Sequence, residues 1–250
     1  MILIAVVAVL VVTVIALPAS LARRALPPFM SADDFSGTLW HGSAARITAN
    51  GRDWGALEWR LHPLALLRLA LAADLHWVKI GFAADAAVEI ESQSITVRNL
   101  EGDGPIADLG DLGIGQYWTG TTSFKFSLIK ATVEGGVIKP TTVVGDVSVA
   151  DISSPQVANG ANLGGYVLHL ADAAIAPQSD LSADLTDTGG PLELDANIHA
   201  SMAAHTGLLS GTIKERPSAP VALRAQVESM SQLHARDAQG RVPFDLEFTF

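Results

Sequence analysis

The sequence predicts a mainly β fold: an N-terminal transmembrane helix followed by a curved antiparallel β-sheet, or groove, with one or two short helices. Three observations lead to this prediction. Residues 1–22 carry no charged side chain, short runs of alternating apolar and polar residues recur after Pro28, and turn residues that include 22 glycines separate those runs. Hydrophobic residues make up 49% of the 250 residues and charged ones only 17%, so the chain can bury a core.

Residues 1–22 are predicted to form a transmembrane anchor, residues 23–34 a linker and residues 35–250 a β-rich domain. About 20 helical residues, each rising about 1.5 Å, span the hydrocarbon core of a bilayer. A cleaved secretory signal is the alternative, because Ser20-Leu21-Ala22 resembles a cleavage site. However, the segment lacks the basic start of a signal, and its apolar run is longer than a usual signal core. On either interpretation the remainder is exported or faces a membrane.

Turn signals and alternation place the elements of the β-rich domain. Asn50-Gly51 predicts a turn between two strands, and Pro63 opens the short helix LALLRLAL. Near the middle, EGDGPIADLGDLGIG is predicted to be a loop, and a change of face at Ile129-Lys130 predicts a bulge or a bend. VALRAQVESMSQLHARDA is predicted to be helical and VPFDLEFTF to be the closing strand. The clearest one-sided strand carries its apolar side chains at Leu192, Leu194, Ala196, Ile198, Ala200 and Met202.

Charge and residue usage exclude several classes of function. The net charge is −10 without a basic stripe, so a nucleic-acid partner is not expected. The absence of cysteine excludes thiolate catalysis, disulfides and cysteine-bound metal. Neither a nucleophile motif, a phosphate-binding loop nor a paired-histidine metal motif is present. We therefore predict no enzyme activity, no catalytic or metal-binding residues and no cofactor; an envelope hydrolase remains a competing hypothesis. A second competing hypothesis is a structural calcium site formed by Glu101, Asp103, Asp108 and Asp111.

Tryptophans and histidines around the short helix are the remaining candidates for a binding site. Trp40, Trp54, Trp59 and Trp77 could stack on a sugar or a peptide, but core packing is favoured. Trp59 and Trp77 flank the short helix and are predicted to pack it onto the sheet. His41 and His62 are interpreted as polar residues at strand ends or a helix cap rather than as ligands.

One stretch resembles a known family. GTLWHG and WGALEWRLHPLALL are similar to motifs of the type II (general) secretion system protein N family, in which a glycine-led strand follows an inner-membrane helix. The residues that carry this resemblance are Gly37, Thr38, Leu39, Trp40, Gly42, Gly55, Leu57, Trp59 and Pro63. The similarity covers about residues 10–77 and is weaker beyond them.

The resemblance implies a non-enzymatic accessory or assembly subunit of the type II secretion machinery. It implies a single-pass anchor in the inner membrane, the bulk of the chain in the periplasm, and other secretion-system subunits as partners. Arg23 and Arg24 alone would favour a cytoplasmic position for that flank, so the periplasmic orientation follows from the resemblance and not from charge. The alternative hypothesis is a periplasmic lipid-binding or lipid-transfer groove, because one-sided strands could line an apolar trough.

Overall fold

A computed structural model of the chain describes residues 16–26, 29–108, 117–134, 137–174, 180–201 and 204–249. It is mainly β with few helices, which confirms the predicted class. In the described residues, thirteen strands occur in the sheet in the order in which they occur in the chain. The chain divides into two compact units, Met1–Arg98 and Asn99–Phe250, with the boundary inside strand β6 (Ser94–Pro105). The sequence had indicated one β-rich domain over residues 35–250.

The described part of the first unit is an antiparallel meander of five strands and the first part of β6. Asn50 and Gly51 both have positive φ values, 51° and 75°, and form the predicted turn between β2 and β3. Pro63–Arg68 forms the predicted short helix, as a 3₁₀ helix between β3 and β4. The strands are β1 (Met30–Gly37), β2 (His41–Ala49), β3 (Arg52–Leu61), β4 (Leu71–Lys79) and β5 (Phe82–Ile90).

Strand pairing gives this unit one apolar and one polar face, because side chains directly opposite each other across strands point to the same side. One row of partners runs through Gly42, Trp59, Leu75 and Ala86. The next row runs through Ser43, Glu58, His76 and Asp85. The predicted alternation is therefore present in the first unit.

The chain before β1 is described from residue 16 onward. Ala19–Ala25 forms a 3₁₀ helix, and β1 begins at Met30, within the stretch predicted as a linker. The predicted transmembrane helix lies mostly over residues 1–15, outside the described residues, and stays a prediction. None of the helices formed by the described residues is long and apolar enough to cross a bilayer.

Within its described residues, the second unit continues the meander with seven strands and one α-helix. A register shift between Lys130 and Ala131, in the β7–β8 pair, confirms the predicted bulge. The predicted helix over residues 221–238 is confirmed only for its first part, α1 (Val221–Ser231); residues 232–238 form turns and coil, so the predicted length was wrong. The strands are β7 (Thr119–Glu134), β8 (Val137–Ser153), β9 (Tyr166–Ala174), β10 (Asp180–Asp187), β11 (Leu192–Ser201), β12 (Thr206–Glu215) and β13 (Val242–Thr249).

The predicted central loop was wrong over residues 101–105, which belong to β6. Glu101 and Asp103 are exposed, whereas Gly102 is half-buried and Gly104 is buried. The period of two is therefore kept, but glycines occupy the inward positions where alternation normally shows large apolar side chains. The later part of the predicted loop, residues 109–115, lies outside the described residues.

Helix α1 covers one end of the apolar face of the second unit. Leu223 and Val227 lie four residues apart on one side of the helix and are 3% and 2% exposed. They pack in one cluster with Leu192 of β11 and Val242 of β13. Burying such a side chain stabilises the fold by about 1.5–3 kcal/mol, so this cluster is a main source of stability in the second unit.

Next to this cluster, Asp187 forms an ion pair that is largely shielded from solvent. Its carboxylate lies 2.7 Å from Nη1 of Arg216 and accepts hydrogen bonds from the backbone N–H groups of Gly189 and Leu194. Burial raises the pKa of Asp187, but Arg216 and the two N–H groups outweigh it and hold that pKa below its usual range. Burial, aided by the nearby Asp187, raises the pKa of Tyr166 to about 12.

Candidate functional site

The structure places all nine motif residues in the first unit. Gly37 ends β1; Thr38, Leu39 and Trp40 form the connection to β2. Gly42 lies in β2, and Gly55, Leu57, Trp59 and Pro63 lie in β3 and at the start of the 3₁₀ helix. Residues 37–42 together with Trp59 hold residues 17–26 against β1–β3. We call residues 37–42 together with Trp59 the motif site, and residues 17–26 the docked segment.

The turn at residues 37–41 fixes the backbone of the motif site. Gly37 has φ 81°, and a Cβ at this position would lie 2.4 Å from the carbonyl oxygen of His41. The N–H of Thr38 donates to that oxygen (2.7 Å), and the N–H of His41 donates to Oγ1 of Thr38 (3.1 Å). Only glycine combines this φ value with so close a backbone approach. The turn therefore needs Gly37, and the Thr38 hydroxyl stabilises it.

The turn presents backbone groups to the docked segment. The N–H of Leu39 donates to the carbonyl oxygen of Leu17 (2.7 Å), and Pro18 pairs with Thr38 as an isolated antiparallel bridge. On the other side, the N–H of Leu61 donates to the carbonyl oxygen of Trp40 (2.8 Å). The motif site thus joins the docked segment to the end of β3.

Gly42 and Trp59 form the surface on which Ala19 packs. A Cβ on Gly42 would lie 2.5 Å from Cζ2 of Trp59 and 2.9 Å from Cβ of Ala19, so no larger residue fits. The indole N–H of Trp59 donates to the carbonyl oxygen of Leu39 (2.9 Å), and its ring meets Phe35 edge to face at 6.3 Å. Ala19 is 2% exposed. The docked segment is therefore buried at this point.

Arg23 makes a second contact between the docked segment and β1. Its guanidinium donates to the carbonyl oxygen of Ala32 (3.2 Å) and to Asp33 (3.3 Å), and lies 5.6 Å from the ring centroid of Phe35. Because Arg23 and Asp33 are exposed, the ion pair adds at most about 1 kcal/mol. The cation–π contact adds about 0.5–1 kcal/mol. Arg23, considered above only for membrane orientation, thus also has a structural contact.

The other motif residues order β3 and β4. Gly55 has φ 83°, and a Cβ there would lie 2.3 Å from the carbonyl oxygen of Val78. The indole N–H of Trp77 donates to the carbonyl oxygen of Trp54. Leu57 packs against the small buried cluster that contains Ala44. These contacts favour a structural role for the motif.

The packing of the short helix by Trp59 and Trp77 stays a prediction. Trp59 meets Phe35 and donates a hydrogen bond to Leu39, and Trp77 packs against Phe82 at 5.3 Å. The helix buries Ala65 and exposes its leucines.

The polar face of the first unit holds two histidine–aspartate pairs that sequence reasoning missed. His76 Nδ1 lies 2.7 Å from Asp85 and His62 Nε2 lies 3.0 Å from Asp74, both solvent-exposed. The pairs are nine and twelve residues apart in the chain, so only strand pairing reveals them. They border an open cleft of about 450 Å³ that also exposes His41.

The residues of this cleft do not have the geometry that the hydrolase hypothesis requires. Ser43 lies two strands away from His76, with Glu58 between them. Two strand spacings amount to about 10 Å, too far for a Ser–His hydrogen bond. Among the residues that the structure describes, no group of three histidine or acidic side chains could hold a metal ion. Asp111, one of the four acids named for calcium, lies outside those residues.

Comparison with known proteins decides the family. The family model for type II secretion system (T2SS), protein N matches residues 28–245. The chain belongs to this family. A curated protein N of this kind, "Type II secretion system protein N" of Vibrio cholerae serotype O1, is 34% identical over 97 residues. That alignment covers 38% of this chain and 36% of the Vibrio protein. No solved structure matches the chain.

As a protein N family member, the chain carries its motif inside the matched range. Residue 28 precedes β1, so the match includes the whole motif site and most of both units. The docked segment, residues 17–26, precedes the match. The motif residues thus lie in the family region, and the segment that they hold lies just before it.

Proposed function

We propose that this protein N family member is a non-enzymatic accessory or assembly subunit of the type II secretion machinery. In this proposal residues 1–17 anchor it in the inner membrane, because Pro18 and Ala19 already pack on the first unit, and both β units lie in the periplasm. One observation supports the structural role above all: Gly37, Gly42 and Trp59 hold the chain that follows the uncharged segment against β1–β3. A motif of this kind orients the first unit with respect to the bilayer.

Other secretion-system subunits are the proposed partners, and an edge strand offers one route for binding them. In the described residues, β13 is the last strand in the sheet order and pairs with β12. The outer edge of such a strand presents backbone N–H and C=O groups that a partner strand can pair with. Leu246, in the middle of β13, is 57% exposed and could contribute an apolar contact.

The assembly role is tested by deleting the gene for the chain and measuring secretion of the substrates of the machinery. We expect reduced secretion that the wild-type chain restores, and normal secretion of every substrate would contradict the role. A photo-crosslinker at Asp245, on β13, should capture a secretion-system subunit. The same crosslinker at Asp85, on the polar face of the first unit, is the matched control.

The location is tested separately by the mass of the protein extracted from membranes. An intact Met1 together with protease accessibility from the periplasmic side would support the anchor. A chain that begins at Arg23 would contradict it and indicate signal cleavage.

A lipid-binding groove is the second candidate, and the apolar face of the second unit favours it. A row of paired apolar residues crosses this face, and several members are only half-buried. The row runs through Phe124, Val147, Leu168, Leu185, Ala196, Gly211 and Phe244. The curved groove predicted from the sequence stays a prediction. Mass spectrometry of purified protein should detect bound lipid that Leu185→Asp removes; lipid-free wild-type protein would contradict this candidate.

A further inference from the structure

The short 3₁₀ helix and the residues after it form an exposed leucine cluster. Apart from Ala65, Arg68 and Ala70, residues 64–71 are all leucines, and all of them are exposed. Their exposed fractions are 76% for Leu64, 47% for Leu66, 83% for Leu67, 90% for Leu69 and 42% for Leu71. A group of apolar side chains of this kind marks a surface that another apolar phase covers. We call these five residues the leucine cluster.

The backbone holds the leucine cluster outward. The N–H of His62 donates to the carbonyl oxygen of Ala72, and the N–H of Ala70 donates to that of Ala65. These two backbone hydrogen bonds close the connection between β3 and β4. Leu69 has φ 57°, a left-handed conformation that favours glycine or asparagine. A leucine that is both strained and 90% exposed is unfavourable in water. The presence of Leu69 at this position therefore indicates that an apolar environment covers its side chain and offsets this cost.

The leucine cluster lies at the end of the first unit where the uncharged segment joins it. Leu61, two residues before Pro63, is hydrogen-bonded to Trp40, and the neighbouring Leu39 is hydrogen-bonded to Leu17. Leu17 ends an apolar run without a charged side chain that starts at residue 1. A bilayer entered by that run would be the apolar phase nearest to the leucine cluster.

We propose that Leu64, Leu67 and Leu69 insert into the interfacial region of the bilayer that residues 1–17 enter. The proposal rests on the membrane location in the proposed function, and goes beyond it by assigning a second, non-spanning contact. Apolar side chains on a short structured element insert into the headgroup and acyl boundary, and basic residues beside them attract anionic lipids. Arg60 precedes this stretch, and Arg68 lies within it.

Single-cysteine labelling tests the insertion, because the chain contains no cysteine. Full-length Leu67→Cys and Ile80→Cys would carry an environment-sensitive dye and be reconstituted into phosphatidylethanolamine–phosphatidylglycerol vesicles. Ile80 is the matched control, since it is 93% exposed and follows β4, whereas Leu67 precedes that strand. A nine-residue strand separates the two ends by about 30 Å.

We expect emission from the Leu67 label to shift to shorter wavelength and to be quenched by spin-labelled lipid. The Ile80 label should remain accessible to iodide in the aqueous phase. Protein that floats with the vesicles while both labels stay equally accessible to iodide would overturn the insertion and leave the anchor intact. Protein that does not float with the vesicles would contradict the anchor and the insertion together.

Discussion

Replacing Gly42 by alanine should release the docked segment. The new Cβ would lie 2.5 Å from Cζ2 of Trp59, 2.6 Å from the carbonyl oxygen of Thr38 and 2.9 Å from Cβ of Ala19. Favourable carbon contacts lie at about 3.5–4.0 Å. The turn holds Thr38, and a hydrogen bond to Leu39 holds Trp59. Trp59, Thr38 and Ala19 all take part in docking the segment, so any shift that relieves these contacts also disturbs the docking.

The magnitude follows from the cost of one extra methyl group in a packed site, which is about 1–3 kcal/mol. A value of about 2 kcal/mol raises the ratio of released to docked segment about 30-fold, since each 1.4 kcal/mol is a factor of ten. Trypsin reports this ratio, because cleavage of a transiently opened segment follows its equilibrium population. In full-length protein in detergent, cleavage after Arg23 and Arg24 should therefore accelerate about 30-fold.

Ser43→Ala is the matched control, because Ser43 follows Gly42 in β2 and points to the opposite face. It loses only an exposed 2.7 Å hydrogen bond to Ser36. Its free energy of unfolding should change by no more than about 0.5 kcal/mol and its cleavage rate by about twofold. Gly42→Ala protein that is cleaved at the wild-type rate would refute the steric argument.

Three further substitutions probe the other contacts. Trp59→Phe removes the N–H that donates to Leu39 and should destabilise the first unit by about 1 kcal/mol in urea denaturation; an unchanged midpoint would show that this hydrogen bond adds nothing. Val227→Ala, at a side chain 2% exposed, should cost about 2 kcal/mol in the second unit, and a loss below about 0.5 kcal/mol would contradict the assigned packing. Asp187→Asn should lower stability at neutral pH. Because the pKa of Asp187 is lowered in the folded state, its contribution is complete above the unfolded pKa of about 4 and is lost as pH falls through the folded value. Wild type and variant should therefore converge in acid, and a constant difference down to the lowest pH would refute the linkage.

Periodic features of the fold could be predicted from the sequence. Leu192, Ala196 and Ala200 are buried on one face of β11, and exposed Asp195 and His199 lie on the other, as the alternation indicated. These predictions succeeded because a strand exposes every second residue whatever its partner. The part of β6 that contains Gly102 and Gly104 was not predicted as a strand, because a glycine at an inward position carries no hydrophobic signal.

The candidate site could be predicted only in part. The motif residues were identified from the sequence, but their role in holding the docked segment was not. That role depends on the backbone hydrogen bond between Leu39 and Leu17, and a backbone contact leaves no pattern of side chains in the sequence. The His76–Asp85 pair depends on strand register in the same way. For the short helix, the sequence showed the leucine content but not the exposure of the leucines. Whether they face a core or the surface depends on which elements pack against the helix.

The hydrogen bonding of the docked segment has a mechanical consequence. Tension on residue 16 would reach the Leu17–Leu39 hydrogen bond first, then the Pro18–Thr38 bridge, and only then the packing of Ala19. Contacts loaded one after another rupture at lower force than contacts loaded simultaneously. The junction would therefore peel open under a pull along the chain before β1–β3 came apart, and would behave as a reversible latch.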